Sequence, residues 1–274
     1  MRSPFRYVGG KGRIWQKILP ELSRCSLYVE PFCGGASVFW NKRPDSAEIL
    51  NDLNGDIVHL YRVLQDEKLY RILEDKIRYT LYSREEFRLS LENRKRETLS
   101  DVERAWTFYV FQNLGFGGKT ESTEGSWGRS MVPRNNWTSR KDCFREWHDR
   151  LQNVRLETRD CLELLEEYDD KDTLFYLDPP YVLGTRKEKN FYKFEGSDDF
   201  HNQLIDRMLK AKGKIILSGY SHPLYDVLVE KGWLRKELET ISHVYLTGRA
   251  GTGSRGDTGK RTECLWINKN SFFV

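Results

Sequence analysis

The sequence lacks several features, and each absence narrows the field. No apolar run approaches the roughly 18 residues that a membrane-crossing helix needs. The opening Met1-Arg2-Ser3-Pro4-Phe5-Arg6 does not read as a signal peptide. Five cysteines (Cys25, Cys33, Cys143, Cys161, Cys264) are odd in number, far apart and without a CxxC pair, and the five histidines form no ligand cluster. Reduced thiols, a cytoplasmic location and no bound metal are the expectations. There is no internal repeat and little net charge. Lys and Arg number 45 against 41 Asp and Glu, giving +4 over 274 residues, short of a chain devoted wholly to nucleic acid. Membrane, collagen-like, disulfide-scaffold and zinc-finger classes are excluded. An anionic partner is allowed where cations gather in patches.

What is present is a βαβα rhythm in two blocks. In 1–65, a short apolar strand at 27–30 breaks at Pro31, and the pair Gly34-Gly35 predicts a helix through Ala36–Trp40. A second strand at 48–51 ends at Asp52, and Ile57, Leu60, Tyr61 and Leu64 follow at helical spacing. The rhythm resumes at 151–274 with strands 154–158, 173–177 and 214–218 and a helix over 199–211. Short strands near 233–239, 242–247 and 263–267 close it. Between the blocks, 66–150 carries helical spacing (Leu69, Ile72, Leu73, Ile77; Val102, Ala105, Trp106, Tyr109, Val110) and an aromatic, Gly-rich stretch, so it reads as a mainly helical insertion. The predicted class is α/β: a Rossmann-like, mostly parallel sheet with helices on both faces, interrupted by that insertion.

Asp178-Pro179-Pro180-Tyr181 directly follows the strand 173–177, which shows no polar alternation. Ligands of open α/β sheets bind beyond the carboxyl ends of strands. Two prolines stiffen the segment and remove two backbone donors, leaving carbonyls beside a carboxylate. Such an acceptor-only pocket suits an exocyclic amine, and Tyr181 offers a ring on which a base stacks. The plain alternative is an Asp-Pro turn with a core tyrosine, which the position at a strand end disfavours.

Glu30-Pro31-Phe32-Cys33-Gly34-Gly35-Ala36 reads as strand, turn and helix start of a nucleotide-type site, although it is not G-x-G-x-x-G. Asp52, 18 residues after Gly34, has the spacing of an acid that binds ribose hydroxyls, with a helix N-cap as the alternative. Arg6 to Gly12 is not a P-loop, because Phe5 stands where the first Gly belongs and Gly12 where Ser or Thr would hold Mg²⁺. Lys11 there is either a solvated lysine or a point charge meeting a carboxylate.

Together these segments resemble the Dam-type DNA adenine-N6 methyltransferases over nearly the whole chain. The resemblance implies S-adenosylmethionine as cofactor and double-stranded DNA as substrate, with no metal and no membrane, in a chain able to act as a monomer. It implies that Tyr7, Gly9 and Lys11 contact the methionine part of the cofactor, that Pro31, Phe32, Gly34 and Gly35 wrap it, and that Asp52 holds the ribose. Asp160 and Cys161 would reach its adenine, and Asp178 to Tyr181 would be the catalytic tetrapeptide. The residues 66–150 take the place of the target-recognition domain, with 1–65 and 151–274 forming the catalytic one. Asn113 and the segment through Arg129 occupy the position of the DNA-reading hairpin. The cations expected on DNA lie in two segments of net charge +3 each, with Lys119, Arg129 and Arg134 in 115–145, and Arg249, Arg255 and Lys260 in 245–261. The implied reaction is transfer of a methyl group to adenine N6 at a specific site after base flipping, as in restriction–modification systems. Rival readings are methylation of RNA adenine or of a protein amide, a DNA-binding protein without catalysis, and a nucleotide-dependent oxidoreductase. The last lacks its glycine fingerprint.

Overall fold

Successive residues of the central strands are buried on opposite sides, which is the signature of a sheet covered on both faces. Tyr28, Leu50, Leu174 and Ile216 enter one hydrophobic cluster, while their neighbours Val29, Ile49, Phe175 and Ile215 enter the other. The computed structural model describes residues 1–7, 9–115, 127, 135–182, 197–241 and 260–271. Among these, seven strands form one sheet: β1 (Leu27–Glu30), β2 (Ala47–Asn51), β3 (Val154–Glu157), β4 (Thr173–Leu177), β5 (Lys214–Tyr220), β6 (Leu234–Ile241) and β7 (Lys260–Ile267). Their order is β3-β2-β1-β4-β5-β7-β6, and β7 alone runs against its neighbours. The predicted α/β class, with its mostly parallel sheet, is what the chain adopts.

The helices are α1 (Trp15–Ile18), α2 (Gly55–Gln65), α3 (Glu67–Tyr79), α4 (Arg84–Asn93), α5 (Asp101–Leu114), α6 (Asn135–Arg140), α7 (Phe144–Leu151), α8 (Cys161–Glu167), α9 (Asp198–Lys210) and α10 (Asp226–Glu230). Five of them, α3 to α7, lie in the chain between α2 and β3. The longest of these, α5, begins with a capping box in which Ser100 and Glu103 satisfy each other's backbone N–H groups. Its residues Ala105, Trp106 and Tyr109 share the first cluster with Phe5, Tyr61 and Ile57. The helical stretch is therefore packed onto the sheet's own cover.

One expected element is absent. Residues 36–40 form consecutive turns rather than a helix. Gly34 (φ +45°) and Ala36 (φ +49°) both occupy the left-handed region, which a right-handed helix cannot include. The strand expected at 242–247 lies outside the described residues. No helix among the described residues is long and apolar enough to cross a membrane.

Candidate active site

Sheet order and register decide where chemistry can gather. β1 pairs in parallel with β2 on one side and β4 on the other, so the chain leaves the sheet in opposite directions around β1. At this switch point the carboxyl ends of three strands deliver Glu30, Asp52 and Asp178 to one cleft. The cleft holds about 990 Å³ of empty space, part of it open to solvent, and Tyr7, Phe32, Gly34, Asp160 and Cys161 also line it.

The turn after β1 is built by long-range hydrogen bonds. Asn51, fully buried at the end of β2, donates to the carbonyls of Pro31 (2.8 Å) and Arg159 (3.0 Å) and accepts from the Arg159 N–H (2.8 Å). One side chain thus braces the loops after β1, β2 and β3. Asp52 accepts the Gly34 N–H at 2.9 Å and the Asn54 N–H at 2.8 Å, one on each carboxylate oxygen. Burial pushes its carboxyl up to about 6 even though both bonds favour the charged form. The N-cap of α2 is Asn54, whose side chain accepts the Asp56 N–H, so Asp52 is not the cap. A Cβ on Gly34 would come within 2.7 Å of the Tyr7 ring, so the ring lies directly against the glycine. The Gly34 carbonyl accepts from the buried Tyr61 hydroxyl at 2.8 Å. Glu30 is buried below the cleft and accepts the Tyr28 hydroxyl at 2.6 Å; burial pushes its carboxyl up to about 8. Asp160 caps α8 by accepting the Leu162 N–H at 2.8 Å, and Cys161 is buried beside it. Phe32 meets the edge of Phe200 from α9 at 6.1 Å between ring centroids.

The second half of the site surrounds Asp178. Its Oδ1 takes two donors, the Lys11 ammonium at 2.5 Å and the Ser218 hydroxyl at 3.0 Å. Tyr176 donates to Ser218 at 3.1 Å, continuing the chain of hydroxyls into the core. Lys11 is 4% exposed and also donates to the Gly9 carbonyl (3.1 Å) and the Tyr181 hydroxyl (3.3 Å). Its ammonium lies 3.2 Å from Glu263 Oε1. Burial opposes the charge on Lys11, but Asp178 and Glu263 outweigh it and hold the ammonium well above its ordinary value. The Tyr181 ring stacks on Tyr220 with centroids 4.2 Å apart, and its hydroxyl donates to Glu263 Oε2 at 3.3 Å. Of the two expectations for Lys11, the structure shows the point charge meeting a carboxylate.

Of the residues expected on DNA, only Asn113 has a described side chain. Asn113 is buried, its amide donating to the carbonyls of Pro4 and Tyr109 at 3.1 Å each, so its side chain faces the protein and not a groove. The last turn of α5 is pulled inward by those acceptors, a tertiary effect its sequence position does not display. Lys119, Arg129, Arg134, Arg249 and Arg255 lie outside the described residues, and for Lys260 only the backbone, in β7, is described. Other cations of 115–145 are used within the fold: Arg140 donates to the Ser3 carbonyl and Lys141 to the carbonyls of Arg78 and Thr80. Among the described residues no group of His, Cys, Asp and Glu is arranged to hold a metal ion.

Sequence reasoning missed Asn51, Ser218, Tyr220 and Glu263. Asn51, Ser218 and Tyr220 end apolar runs, a signal that marks a residue as unusual without naming its partner, and Glu263 follows the polar Lys260-Arg261-Thr262 and carries no such signal.

A family description, D12 class N6 adenine-specific DNA methyltransferase, matches residues 7–244. A type II methyltransferase of Lactococcus lactis subsp. cremoris is 27% identical over 286 residues, covering 97% of this chain and 95% of that protein. A type II methyltransferase of Methanocaldococcus jannaschii is 27% identical over 244 residues, 78% of this chain and 83% of its own. A DNA adenine methylase of Vibrio cholerae is 27% identical over 201 residues, covering 72% and 70%. With most of its length matched, from the Tyr7 segment through the tetrapeptide to the end of the sheet's parallel strands, the chain belongs to the D12 class of N6 adenine-specific DNA methyltransferases.

Proposed function

We propose that the cleft binds S-adenosylmethionine and that Asp178-Pro179-Pro180-Tyr181 receives a flipped adenine for methylation at N6. Methyltransferases of this kind generally use that cofactor, and the residues present fit it. The acidic side chains of Asp52, Asp160 and Asp178 line the cleft against the single ammonium of Lys11, while burial favours the neutral form of Glu30, a balance suited to a cationic ligand carrying hydroxyls. Asp52 receives the ribose hydroxyls, and Asp160 with Cys161 borders the cofactor's adenine. Tyr7, Gly9, Lys11, Pro31, Phe32, Gly34 and Gly35 form the wall around the remainder. When bound, S-adenosylmethionine supplies a methyl group already activated by a sulfonium.

The chain's own residues then have a positioning task, because the adenine amine is a poor nucleophile whose lone pair is shared with the ring. Lys11 and Ser218 both converge on Asp178 Oδ1. The other oxygen, Oδ2, and the Pro179 carbonyl accept the two N6 protons and turn the lone pair toward the methyl donor. Transfer would form the N6–methyl bond as the methyl group's bond to sulfur breaks, and one of the two N6 protons would pass to solvent. Tyr181, backed by Tyr220, stacks on the base. Alignment of this kind supplies much of the rate in a group transfer between two bound partners. The target base must leave the duplex to reach the cleft. Residues 66–150 act as the target-recognition part and 1–65 with 151–274 as the catalytic part. The cationic segments 115–145 and 245–261 contact the phosphate backbone.

The observation that carries this reading is Asp178 at the carboxyl edge of β4, in the same cleft as Asp52 and the Gly34 turn. The test is incubation with labelled S-adenosylmethionine and duplex DNA, followed by sequencing for N6-methyladenine. Label in RNA or protein with none in DNA would overturn it.

A further inference from the structure

Glu263 has no part in the reading above, and it lies beyond the residues matched by the family description. Because β7 is antiparallel to β5, its beginning is carried to the carboxyl end of β5, where Glu263 pairs in register with Tyr220. The side chain is 3% exposed. One carboxylate oxygen lies 3.2 Å from the Lys11 ammonium, and the other accepts the Tyr181 hydroxyl at 3.3 Å. Two of its neighbours are thus the residues that flank Asp178 in space and in sequence.

The charge count is unusual for a purely structural contact. One buried ammonium needs one carboxylate, and Asp178 is the nearer of the two at 2.5 Å. A second carboxylate brings its own desolvation cost and faces the first across the same cation. Burial accordingly raises the Glu263 carboxyl above its ordinary value, with Lys11 opposing that shift and the Asp178 charge adding to it. A neutral glutamine would fill the same space and avoid that cost. The second carboxylate gives Lys11 an anchor that does not depend on Asp178.

We propose that Glu263 is a positioning residue for methyl transfer, holding Lys11 and the Tyr181 hydroxyl in place while Asp178 engages the adenine amine. This rests on the reading that Asp178 receives that amine. Without Glu263, Lys11 has Asp178 as its sole carboxylate partner among the described residues, and the oxygen offered to substrate is displaced by whatever movement Lys11 makes. The Tyr181 platform also loses the acceptor that fixes its outer end. The tetrapeptide would remain intact but less well aligned.

The test compares wild type, Glu263→Gln and Asp178→Ala for affinity toward S-adenosylmethionine by calorimetry, affinity toward unmethylated duplex DNA, and single-turnover methyl transfer. The expected result for Glu263→Gln is a transfer rate lower by about 10- to 100-fold, the penalty of imperfect alignment, with both affinities within about threefold of wild type. A wild-type transfer rate would overturn the proposal. So would a rate loss matched by an equal loss of cofactor affinity, which would make Glu263 a binding residue only. Should Glu263→Gln fail to fold, Glu263→Asp keeps the charge but shortens the reach, and the same two outcomes decide. If Asp178→Ala transfers methyl at the wild-type rate, the reading of Asp178 itself fails. If Asp178→Ala is inactive while Glu263→Gln is normal, only the role of Glu263 fails.

Discussion

Lys11 and Asp178, 167 residues apart in sequence, meet as an ion pair at 2.5 Å with the lysine buried to 4% exposure. Removing one partner of a buried pair leaves the other uncompensated, which typically costs about 3–5 kcal/mol. Lys11→Met should therefore lower unfolding stability by roughly that amount, measured by denaturant titration, because both Asp178 and Glu263 lose their cation. Combining it with Glu263→Gln should recover part of the loss. A Lys11→Met protein as stable as wild type would show that the pair is not formed in solution.

Asp178→Ala should keep at least part of the cofactor affinity and lose methyl transfer to DNA. Removing a single aligned hydrogen-bonding group at a reacting centre typically costs about 10²–10³ in rate, so the loss here should be at least of that order. Quantifying N6-methyladenine in duplex DNA after a fixed interval checks it, and equal turnover by the variant would refute the mechanism.

These two residues also show how much could be read from sequence. The strand before Asp178 was legible because Thr173–Leu177 shows no polar alternation, as expected of a strand covered on both faces, and it is buried throughout. The position of Asp52 at the end of the second strand was legible from the sequence, whereas its acceptance of the Gly34 N–H was not. The turns at 36–40 were not legible, because nothing in the local sequence signals the left-handed alanine at position 36 that excludes a helix there. The burial of Asn113 was not legible for a similar reason: the Pro4 carbonyl that accepts its amide is 109 residues away. Tyr220 and Glu263 become partners only through the β5–β7 register, which no local pattern encodes.

Glu30 offers a pH signature. Its carboxyl lies at about 8 in the folded protein against an ordinary 4.5, with burial as the main cause. The folded chain thus holds this proton more tightly than the unfolded one. The associated stability is complete below about pH 4.5 and is lost as pH rises through about 8. Denaturant midpoints at pH 5 and pH 8.5 should show a larger decline for wild type than for Glu30→Gln, by roughly 3–5 kcal/mol at most. Parallel declines in the two proteins would refute the assignment.

Gly34→Ala should damage both fold and cofactor binding. The backbone there has φ +45°, and the added methyl would meet two Tyr7 ring carbons at 2.7 Å. A left-handed non-glycine residue costs about 1–3 kcal/mol, before any steric term. Thermal unfolding and calorimetry with S-adenosylmethionine check this. A second change, Tyr7→Ala, should relieve the contact while leaving the backbone penalty in place.

The reversed direction of β7 has a consequence for how the protein comes into being. Lys11 and Glu263 are 252 positions apart, so their contact closes a very long loop. Loop entropy is spent before such a contact gives anything back, which makes it a late event in folding. During synthesis, the tetrapeptide and the glycine turn emerge and can collapse while Lys11 still has, among the described residues, only Asp178 as a carboxylate partner. Alignment of the site is then withheld until β7 has been made and has slotted between β5 and β6. A partly synthesised enzyme would carry all the residues for binding and still lack the geometry for transfer.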